Sequence, residues 1–351
     1  MANLKYGETH ITNITQLCGS GQWYLPDPEV TDATQDCIIC IDNDLDFNNE
    51  DFYYHDDHFF KIYLPKKSVT NSVIFDGQNH TLTNIYVLSN KSFFYATSNT
   101  GATDFIIKNA TFEVVLNSFS RMASMQGGNS YTTIYKNCIF NIKTISDLDY
   151  IFYKYYMGFD ERNVFINCIF NIECNVLSNF SICYSSSSCN RPLAIESCEF
   201  RIKIINANPN CTITLSYSGA TGTTAGSNFN NSLVFVNNYS NELVTIRLIY
   251  DNNTYSDSSI VKSFINNFIS AFDGVAADVN KVDLDLTVNK SSYARLSASF
   301  FIDTDCVSIS SHLQELADTT YPGLINLIPL TTTESKSPTE MAAKGYVFAS
   351  E

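Results

Sequence analysis

Apolar and polar side chains alternate in short stretches along the middle of the chain, and one such stretch recurs at a fixed interval. Its three copies occupy residues 137–142, 167–172 and 197–202, so they are evenly spaced. Successive side chains of a strand point to opposite faces, so each copy predicts a short strand with one apolar face. A fixed period in the range of about 20–50 residues is typical of solenoids, and this pattern predicts a solenoid built from β-strands.

Stacking of these strands would arrange equivalent side chains in columns. The apolar face predicts three interior columns, namely Cys138, Cys168 and Cys198, then Phe140, Phe170 and Phe200, then Ile142, Ile172 and Ile202. The opposite face predicts two solvent-facing columns, namely Asn141, Asn171 and Arg201, then Lys143, Glu173 and Lys203. We expect these columns to run along the axis of the solenoid.

A polar residue precedes the cysteine position of each repeat. These residues are Asn109, Asn137, Asn167 and Ser197. Asn tolerates the left-handed backbone conformation, so we expect a tight bend here between two strands. Stacked amides can also hydrogen-bond along such a column.

Two weaker copies extend the repeat. Residues 234–239 follow after a longer interval, with Asn237 in the place of Ser197, and residues 263–268 return to nearly the usual spacing with Asn266. The longer interval predicts an insertion, which we place in the Gly-, Ser- and Thr-rich segment 216–232. We count roughly eight to ten coils, which predicts a rod of about 40–50 Å.

The beginning of the repeat region carries a family resemblance. Residues 74–85, IFDGQNHTLTNI, resemble the FDGxxHTI phrase that opens many right-handed parallel β-helices of the pectate-lyase-like superfamily. Residues 41–47, IDNDLDF, are similar to the strand that often comes before it. The resemblance implies a right-handed parallel β-helix. That fold occurs in polysaccharide lyases and hydrolases, bacterial surface proteins, and viral fibres, spikes and capsid decorations, so it does not select a function.

Composition supports a β-rich core and restricts the partners. The chain has 351 residues of which 44% are hydrophobic, enough for a sizeable core, and its 25 Phe and 21 Tyr suit wide β surfaces. A net charge of -15 argues against nucleic acid, whose phosphates would repel this surface. The polar segment 1–8 predicts no signal peptide, and no apolar stretch approaches the roughly 18 residues of a membrane span.

The cysteines fit the same interpretation. Eleven are present, and three of them fall in an interior column, where a reduced thiol behaves as a small hydrophobe. Neighbouring column members also lie within disulfide distance, so bridges are an alternative. We predict buried reduced thiols, and therefore assembly in a reducing cytoplasm.

Two segments suggest metal binding, each with a structural alternative. Cys37 and Cys40 have the spacing of zinc and redox sites, but residues three apart on a strand face opposite ways, and no second pair completes a zinc set. Asp42, Asp44 and Asp46, followed by residues 48–51, suggest calcium. Phe47 and Tyr53, however, break the EF-hand template at its sixth and twelfth positions.

The segment His55-Asp56-Asp57-His58 is the densest polar cluster. Two imidazoles and two carboxylates could hold a metal, although a loop tip between aromatic strands explains them as well. We therefore predict no cofactor and no metal, and assign no residue to a metal or cofactor site.

An enzyme would need catalytic groups on the flank of the solenoid. Lyases of the resembled superfamily use a Lys or Arg base, and hydrolases use paired carboxylates. The repeats offer Lys143, Glu173, Arg201 and Lys203, which any solvated strand face would also carry. No Asp cluster recurs with the repeat, so we predict no catalytic residue.

Carbohydrate binding without catalysis is a separate hypothesis. It depends on four tyrosines in one segment, Tyr150, Tyr153, Tyr155 and Tyr156. Aromatic faces can stack on sugars, but core packing or a subunit interface explains these rings equally well.

The C-terminal part breaks the period. Residues 282–288 alternate as a half-buried strand. Residues 337–345 predict a short helix, with Ser337 as N-cap, Pro338 as first helical residue, Glu340 as capping-box partner and Gly345 as stop. A strand follows at 346–348. This unit would cover the last coil or dock a neighbouring subunit.

Together these patterns predict an all-β chain, a single-stranded right-handed parallel β-helix with caps at both ends. We expect an N-terminal cap with the first strands in residues 1–72, the β-helix in 73–272, and a C-terminal capping region with a short helix in 273–351.

The predicted function is that of a structural virion protein, a phage or large-virus fibre, spike or capsid decoration. It would be assembled in the host cytoplasm. Its partners would be copies of itself or other virion proteins, with cell-surface carbohydrate as a further candidate, and neither nucleic acid nor a membrane. A polysaccharide-degrading lyase or glycoside hydrolase and a bacterial surface adhesin remain as alternatives.

Overall fold

The computed structural model describes the chain in segments, with the central part nearly continuous. The described residues are 7–18, 23–24, 36–47, 58–63, 72–98, 104–127, 132–156, 163–185, 193–218, 228–230, 233–238, 240, 242, 244–251, 267–272, 282–285, 298–303, 318–319 and 325–330.

Nearly all regular structure in these segments is β. In chain order the elements are β1 Gly7–Ile11, α1 Ile14–Cys18, β2 Trp23–Tyr24, β3 Cys37–Ile41, β4 Leu45–Asp46, β5 His58–Tyr63, β6 Val73–Asp76, β7 Thr81–Val87, β8 Ser92–Ser98, β9 Phe105–Lys108, β10 Thr111–Leu116, β11 Arg121–Gly127, β12 Thr133–Lys136, β13 Ile139–Thr144, β14 Tyr150–Tyr156, β15 Asn163–Ile166, β16 Ile169–Val176, β17 Phe180–Ser185, β18 Leu193–Glu196, β19 Glu199–Ala207, β20 Cys211–Ser218, β21 Asn228–Asn230, β22 Leu233–Asn238, β23 Val244–Asp251, β24 Asn267–Phe272, β25 Val282–Asp285, β26 Ala298–Asp303 and β27 Ile325–Leu330.

These strands form three parallel sheets that run side by side. Within the described residues, sheet I has the order β1-β3-β6-β9-β12-β15-β18-β21, sheet II the order β27-β26-β24-β22-β19-β16-β13-β10-β7-β4, and sheet III the order β2-β5-β8-β11-β14-β17-β20-β23-β25. Each turn passes through sheets I, II and III in that order, and five successive turns between Val73 and Ser218 form the regular part. The predicted all-β parallel solenoid is confirmed.

The interior columns lie where the repeat predicts them. The phenylalanines pair in register from β10 to β19, and their rings stack with centroids 5.5, 5.3 and 4.5 Å apart in the series Phe112, Phe140, Phe170 and Phe200. The cysteine and isoleucine columns are buried beside them. Apolar burial along the axis is therefore continuous, which is the main stabilising term for such a fold.

The bends between sheets I and II also follow the prediction. The backbone φ angles are 53° at Asn109, 54° at Asn137, 51° at Asn167 and 53° at Ser197, all in the left-handed region. The Asn137 amide donates to Asn109 Oδ1 at 3.1 Å, and the Asn109 amide donates to Asp76 Oδ1 at 3.2 Å. The amide ladder thus connects three successive coils.

Gly77 stands at the same bend one coil earlier, for a different reason. A Cβ at this position would lie 2.4 Å from Ala110 Cβ and 2.5 Å from the Asn109 carbonyl oxygen. The glycine of the FDG phrase is required because the next coil approaches it closely.

The register corrects the alignment of one weak repeat. Leu233 pairs with Glu199, and Asn237 pairs with Lys203. Asn237 therefore lies six positions beyond Ser197, the residue whose place it was predicted to take, so that alignment was wrong. An error of six positions is even, so the alternation of inward and outward side chains was unchanged and could not reveal it.

The same shift of six positions makes the insertion six residues shorter than predicted. Its first residues, Ser216 to Ser218, end β20, and Asn228–Asn230 form β21. Residues 219–227 lie outside the described residues.

The first and last described strands join the same three sheets. β1 and β3 continue sheet I on the N-terminal side of β6, while β25, β26 and β27 continue sheets II and III. The division at residues 72 and 272 stays a prediction. Of the predicted strand at 282–288, residues 282–285 are present as β25. Residues 286–288, the helix at 337–345 and the strand at 346–348 lie outside the described residues.

Helix α1 contributes to the N-terminal end of the core. The Gln16 side chain accepts hydrogen bonds from the Thr12 and Asn13 amides at 2.6 and 3.1 Å, while Asn13 Oδ1 accepts one from the Gln16 amide at 3.2 Å. This reciprocal capping fixes the short helix, whose Leu17 is buried in the core. No helix in the described part of the chain is long and apolar enough to cross a membrane.

Candidate functional site

The outer face of sheet II carries a groove, called here the sheet II groove. Its volume is about 580 Å³, and it is lined by Asn84, Glu113, Val114, Val115, Asn141, Ile142, Lys143, Asn171, Ile172, Glu173, Arg201 and Lys203. These residues come from β7, β10, β13, β16 and β19, which lie next to one another in the sheet. These strands pair in parallel and follow one another at nearly constant intervals along the chain, so their outward side chains lie side by side.

Glu173 is the charged centre of this groove. Lys143 Nζ lies 3.1 Å from Glu173 Oε1 and Lys203 Nζ lies 3.0 Å from Glu173 Oε2. Hydrogen bonds from Lys203 and then Lys143 lower the pKa of the Glu173 carboxyl. Glu173 is therefore held as an anion, and it is poorly suited to act as a proton donor near neutral pH.

A second carboxylate lies beside the groove in a different environment. Burial raises the pKa of Glu199, against the effect of the Arg201 guanidinium, whose Nε donates to it. In the register of the two strands, Glu173 lies opposite Lys203, and Lys203 is four residues beyond Glu199 on β19. The backbone positions of Glu173 and Glu199 are therefore about 13 Å apart along the strand direction. Carboxyl groups of glycosidase pairs are separated by about 5–9.5 Å, and the wider spacing of these two backbone positions does not favour such a pair.

The sequence singled out Lys143, Glu173, Arg201 and Lys203 as the repeat residues that offer catalytic chemistry. The structure brings all four into one groove. Beside them the Asn171 amide donates to Asn141 Oδ1 at 2.7 Å. Three cations and several amides suit the binding of an anionic, hydroxyl-rich ligand.

The outer face of sheet III carries a tyrosine column that the sequence analysis missed. Tyr153, Tyr184 and Tyr217 pair in successive strands, with ring centroids 5.5 and 4.9 Å apart and nearly parallel planes. Their intervals are unequal and differ from that of the repeat, which hid them. Tyr150 packs against Tyr184 at 3.9 Å, and the side chains of Tyr155 and Tyr156 lie outside the described residues.

The stacking limits what these tyrosines can bind. Arg121 lies over the Tyr153 ring at 4.9 Å and forms an ion pair with Asp149 at 2.8 Å. The ring faces of Tyr153 and Tyr184 are thus occupied by neighbouring rings and by the guanidinium. Sugar stacking on the faces of these two rings is therefore disfavoured.

The acidic segment before the FDG phrase is divided among partners on neighbouring coils. Asp44 Oδ1 contacts the His80 ring at 3.1 Å and accepts from the Thr81 amide at 2.9 Å. Asp46 accepts from Asn84 at 2.8 Å. The third member, Asp42, contacts His10 on the preceding coil.

The two CxxC cysteines face opposite sides of sheet I, as predicted. Cys37 belongs to the hydrophobic core, whereas Cys40 lies among polar groups of the outer face, close to Glu8 and His10. In the polar cluster 55–58, residues 55–57 lie outside the described residues. His58 begins β5, and its side chain is not described.

The interior cysteine column consists of thiols. Cys138, Cys168 and Cys198 are buried and not bridged. Cys138 Sγ donates to the Ile107 carbonyl at 3.5 Å, and Cys168 Sγ to the Tyr135 carbonyl at 3.5 Å. Burial raises the pKa of Cys138 and of Cys198, which makes them poor nucleophiles in the folded chain.

One buried cation escaped the sequence analysis. Lys154 is fully buried, and its Nζ donates to Thr133 Oγ1 at 3.3 Å. Tyr153, the preceding residue on β14, faces outward. Because side chains alternate along a strand, this position could have indicated that Lys154 faces inward.

Comparison with known proteins identified no relative of this chain. No protein family model, curated protein or solved structure matches this chain.

Proposed function

We propose that the chain is a structural virion protein, a fibre, spike or capsid decoration in which the solenoid is a rigid scaffold for assembly or surface attachment. The observation that carries the proposal is the use of outer-face side chains in contacts between coils. Within each column, charged, amide or aromatic side chains contact the equivalent side chain of the next coil. These side chains are therefore used in contacts between coils and do not form a set of reactive groups. The viral setting is an analogy at the level of the fold.

Three columns support this reading. Lys143, Glu173 and Lys203 form a continuous ion-pair row, and the Asn141 and Asn171 amides form a second row. The stacked tyrosines of sheet III form the third. Rows of this kind resist sliding and bending between coils, which a scaffold needs and a catalytic cleft does not.

Mass spectrometry of purified virions from the source tests the proposal. We expect the chain in mature particles at a fixed ratio to the major capsid protein, with surface labelling by antibody in electron micrographs. Absence from every particle would overturn the proposal. Recombinant chain should also self-associate or bind other virion proteins, which light scattering after gel filtration measures.

A second candidate, a polysaccharide-binding or polysaccharide-degrading role, is favoured by the charge of the sheet II groove. Lys143, Arg201 and Lys203 line it together with two carboxylates, Glu113 and Glu173, in a chain whose net charge is -15. Lysine and arginine side chains clustered on an acidic protein suit a uronic-acid or sulfated polymer. Membership of the pectate-lyase-like superfamily, which residues 74–85 suggest, belongs to this proposal.

A panel of anionic polysaccharides separates the two candidates. If the groove binds or cleaves polymer, Lys203→Met and Arg201→Met should weaken binding or product release at least about tenfold. Lys136→Met, an exposed lysine on sheet I, is the matched control and should have no effect. The second candidate fails if no polymer binds or is cleaved, or if the groove variants behave like the control.

A further inference from the structure

Three metal-ligand side chains meet on the outer face of sheet I at its N-terminal end. They are Glu8 and His10 of β1 and Cys40 of β3. His10 pairs directly with Cys40 across the two parallel strands, and Glu8 precedes His10 by two residues, hence on the same face. The three therefore come together through the register of the first two coils.

Their distances suit a single small cation. A nitrogen of His10, the sulfur of Cys40 and a carboxylate oxygen of Glu8 all lie within 4.8 Å of one another. His10 Nε2 is 3.4 Å from Glu8 Oε2. With zinc bonds of about 2.0–2.2 Å to nitrogen and oxygen, the edge of a tetrahedron is also about 3.4 Å.

The surrounding groups orient these ligands. His10 Nδ1 lies 2.9 Å from one oxygen of Asp42 and 3.0 Å from the other, which favours a proton on Nδ1 and leaves the Nε2 lone pair facing Glu8. A carboxylate behind a ligating histidine is the usual outer-shell partner at zinc sites. Gln78 donates to Asp42 at 3.4 Å and holds that carboxylate in turn.

The burial of the three ligands is uneven. Cys40 is 4% exposed, whereas Glu8 and His10 are exposed. A buried sulfur with two outer ligands leaves the fourth position open towards solvent. Asp76, opposite Cys40 on the next strand, is held by Lys108 at 2.9 Å.

We infer that Glu8, His10 and Cys40 bind a zinc ion, with water as the fourth ligand and Asp42 as the group that positions His10. Mixed sulfur, nitrogen and oxygen donors select zinc over calcium or magnesium, which take oxygen ligands. The ion would join β1 to β3 and so fasten the first coil to the second. This site is independent of the proposed virion role.

Cobalt titration of the full chain, purified without metal, tests the site. We expect about one equivalent of Co²⁺ to bind with a thiolate charge-transfer absorption and tetrahedral ligand-field bands, and Zn²⁺ to displace it. Cys40→Ser should abolish the charge-transfer absorption, and His10→Ala should weaken binding at least about tenfold. Asp42→Asn should weaken it by about 10–100-fold, as loss of an outer-shell partner does.

Two variants serve as matched controls. His80→Ala removes the other described histidine–aspartate pair, with Asp44 at 3.1 Å, and Cys37→Ala removes the inward thiol of the same strand. Both should keep the absorption. If Cys40→Ser does not fold, native mass spectrometry of the wild-type chain purified without chelator decides, with one retained zinc expected. A wild-type chain without thiolate absorption or retained zinc would show a plain His10–Asp42 ion pair and overturn the inference.

Discussion

At the scale of single residues, backbone conformation explains why particular side chains recur in this chain. Asn109, Asn137, Asn167 and Ser197 all have φ between 51° and 54°. Most residues are strained there, and Asn and Ser have short polar side chains that can bond locally. The repeat therefore preserves a conformational requirement together with its apolar pattern.

Asn137→Ala tests this requirement. We expect the free energy of unfolding to fall by about 1–2 kcal/mol, since alanine is strained at this φ and the hydrogen bond to Asn109 is lost. Asn137→Gly loses the hydrogen bond but not the backbone freedom, so it should cost less than half as much. Urea unfolding followed by circular dichroism measures both. Equal losses in the two variants would show that the backbone conformation contributes nothing.

Gly77 represents the opposite case, in which space rather than φ decides. Gly77→Ala should destabilise the chain by about 3 kcal/mol or more, because the new methyl group would overlap the next coil. Adding Ala110→Gly removes one of the three clashing atoms, Ala110 Cβ, and leaves Ala110 Cα and the Asn109 carbonyl oxygen in place. The double variant should therefore recover only part of the loss in the same urea measurement. Full recovery would contradict a backbone clash.

At the scale of strands, each element is stabilised by its neighbours above and below in the column. Phe170 stacks on Phe200 at 4.5 Å and on Phe140 at 5.3 Å, and it contacts Phe152 of sheet III edge-on at 5.7 Å. It also contacts Phe165 of sheet I edge-on at 5.5 Å, so one side chain connects three coils and three sheets. Aromatic rings in such arrangements add to the hydrophobic stabilisation.

Phe170→Ala should lower the free energy of unfolding by about 3–5 kcal/mol, because the cavity would lie in a rigid column that cannot collapse. Phe170→Leu keeps most of the volume and should cost clearly less. Denaturant titration measures both variants. Similar losses for the two would indicate that ring stacking, rather than filled volume, stabilises the column.

The ion-pair row on sheet II predicts a weak pH dependence. The pKa of Glu173 is lowered by Lys203 and Lys143, so the stabilisation exists above the unfolded pKa, about 4.3, and is lost as pH falls through the folded value. Because the row is partly exposed, Glu173→Gln should cost less than about 1 kcal/mol at neutral pH. A double-mutant cycle with Lys203→Met measures the coupling, which should vanish near pH 3. Undiminished coupling at low pH would contradict this assignment.

At the scale of the whole molecule, the solenoid is a one-dimensional stack. Each coil contacts only its neighbours, and stability is close to a sum of coil and interface terms. Leu17 of α1 is buried at the N-terminal end of the core, where the first coil has no preceding coil among the described residues. The chain should therefore still fold after deletion of one whole repeat, but not after deletion of half a repeat.

Deletion of residues 138–167 joins Asn137 to Cys168 and preserves every column. We expect a folded, cooperatively unfolding protein of lower stability, with Phe112 stacked on Phe170. Deletion of residues 138–153 moves a sheet II strand against a sheet III strand, and this control should be insoluble or unfolded. Circular dichroism and thermal unfolding distinguish the outcomes, and equal behaviour of the two deletions would contradict stacking by whole repeats.

Features that repeat at a constant interval could be predicted from the amino-acid sequence. The sheet II columns recur evenly, as Phe140, Phe170 and Phe200 do, so alternation and period together indicated the interior face, the solvent face and the bends. The direction of each side chain depends on its position along the strand, and the columns form because equivalent residues of successive repeats stack. Alternation also predicted that Cys37 and Cys40 face opposite ways.

Side-chain contacts between coils of unequal length became visible only in the folded chain. The Tyr153, Tyr184 and Tyr217 column has uneven spacing, and the position of β22 depended on a difference of six positions that alternation cannot detect. Glu8, His10 and Cys40 carry no shared motif, and only the register of β1 against β3 brings them within ligand distance. Register is set by the lengths of the connections and by packing of the whole stack, and neither is contained in a local pattern.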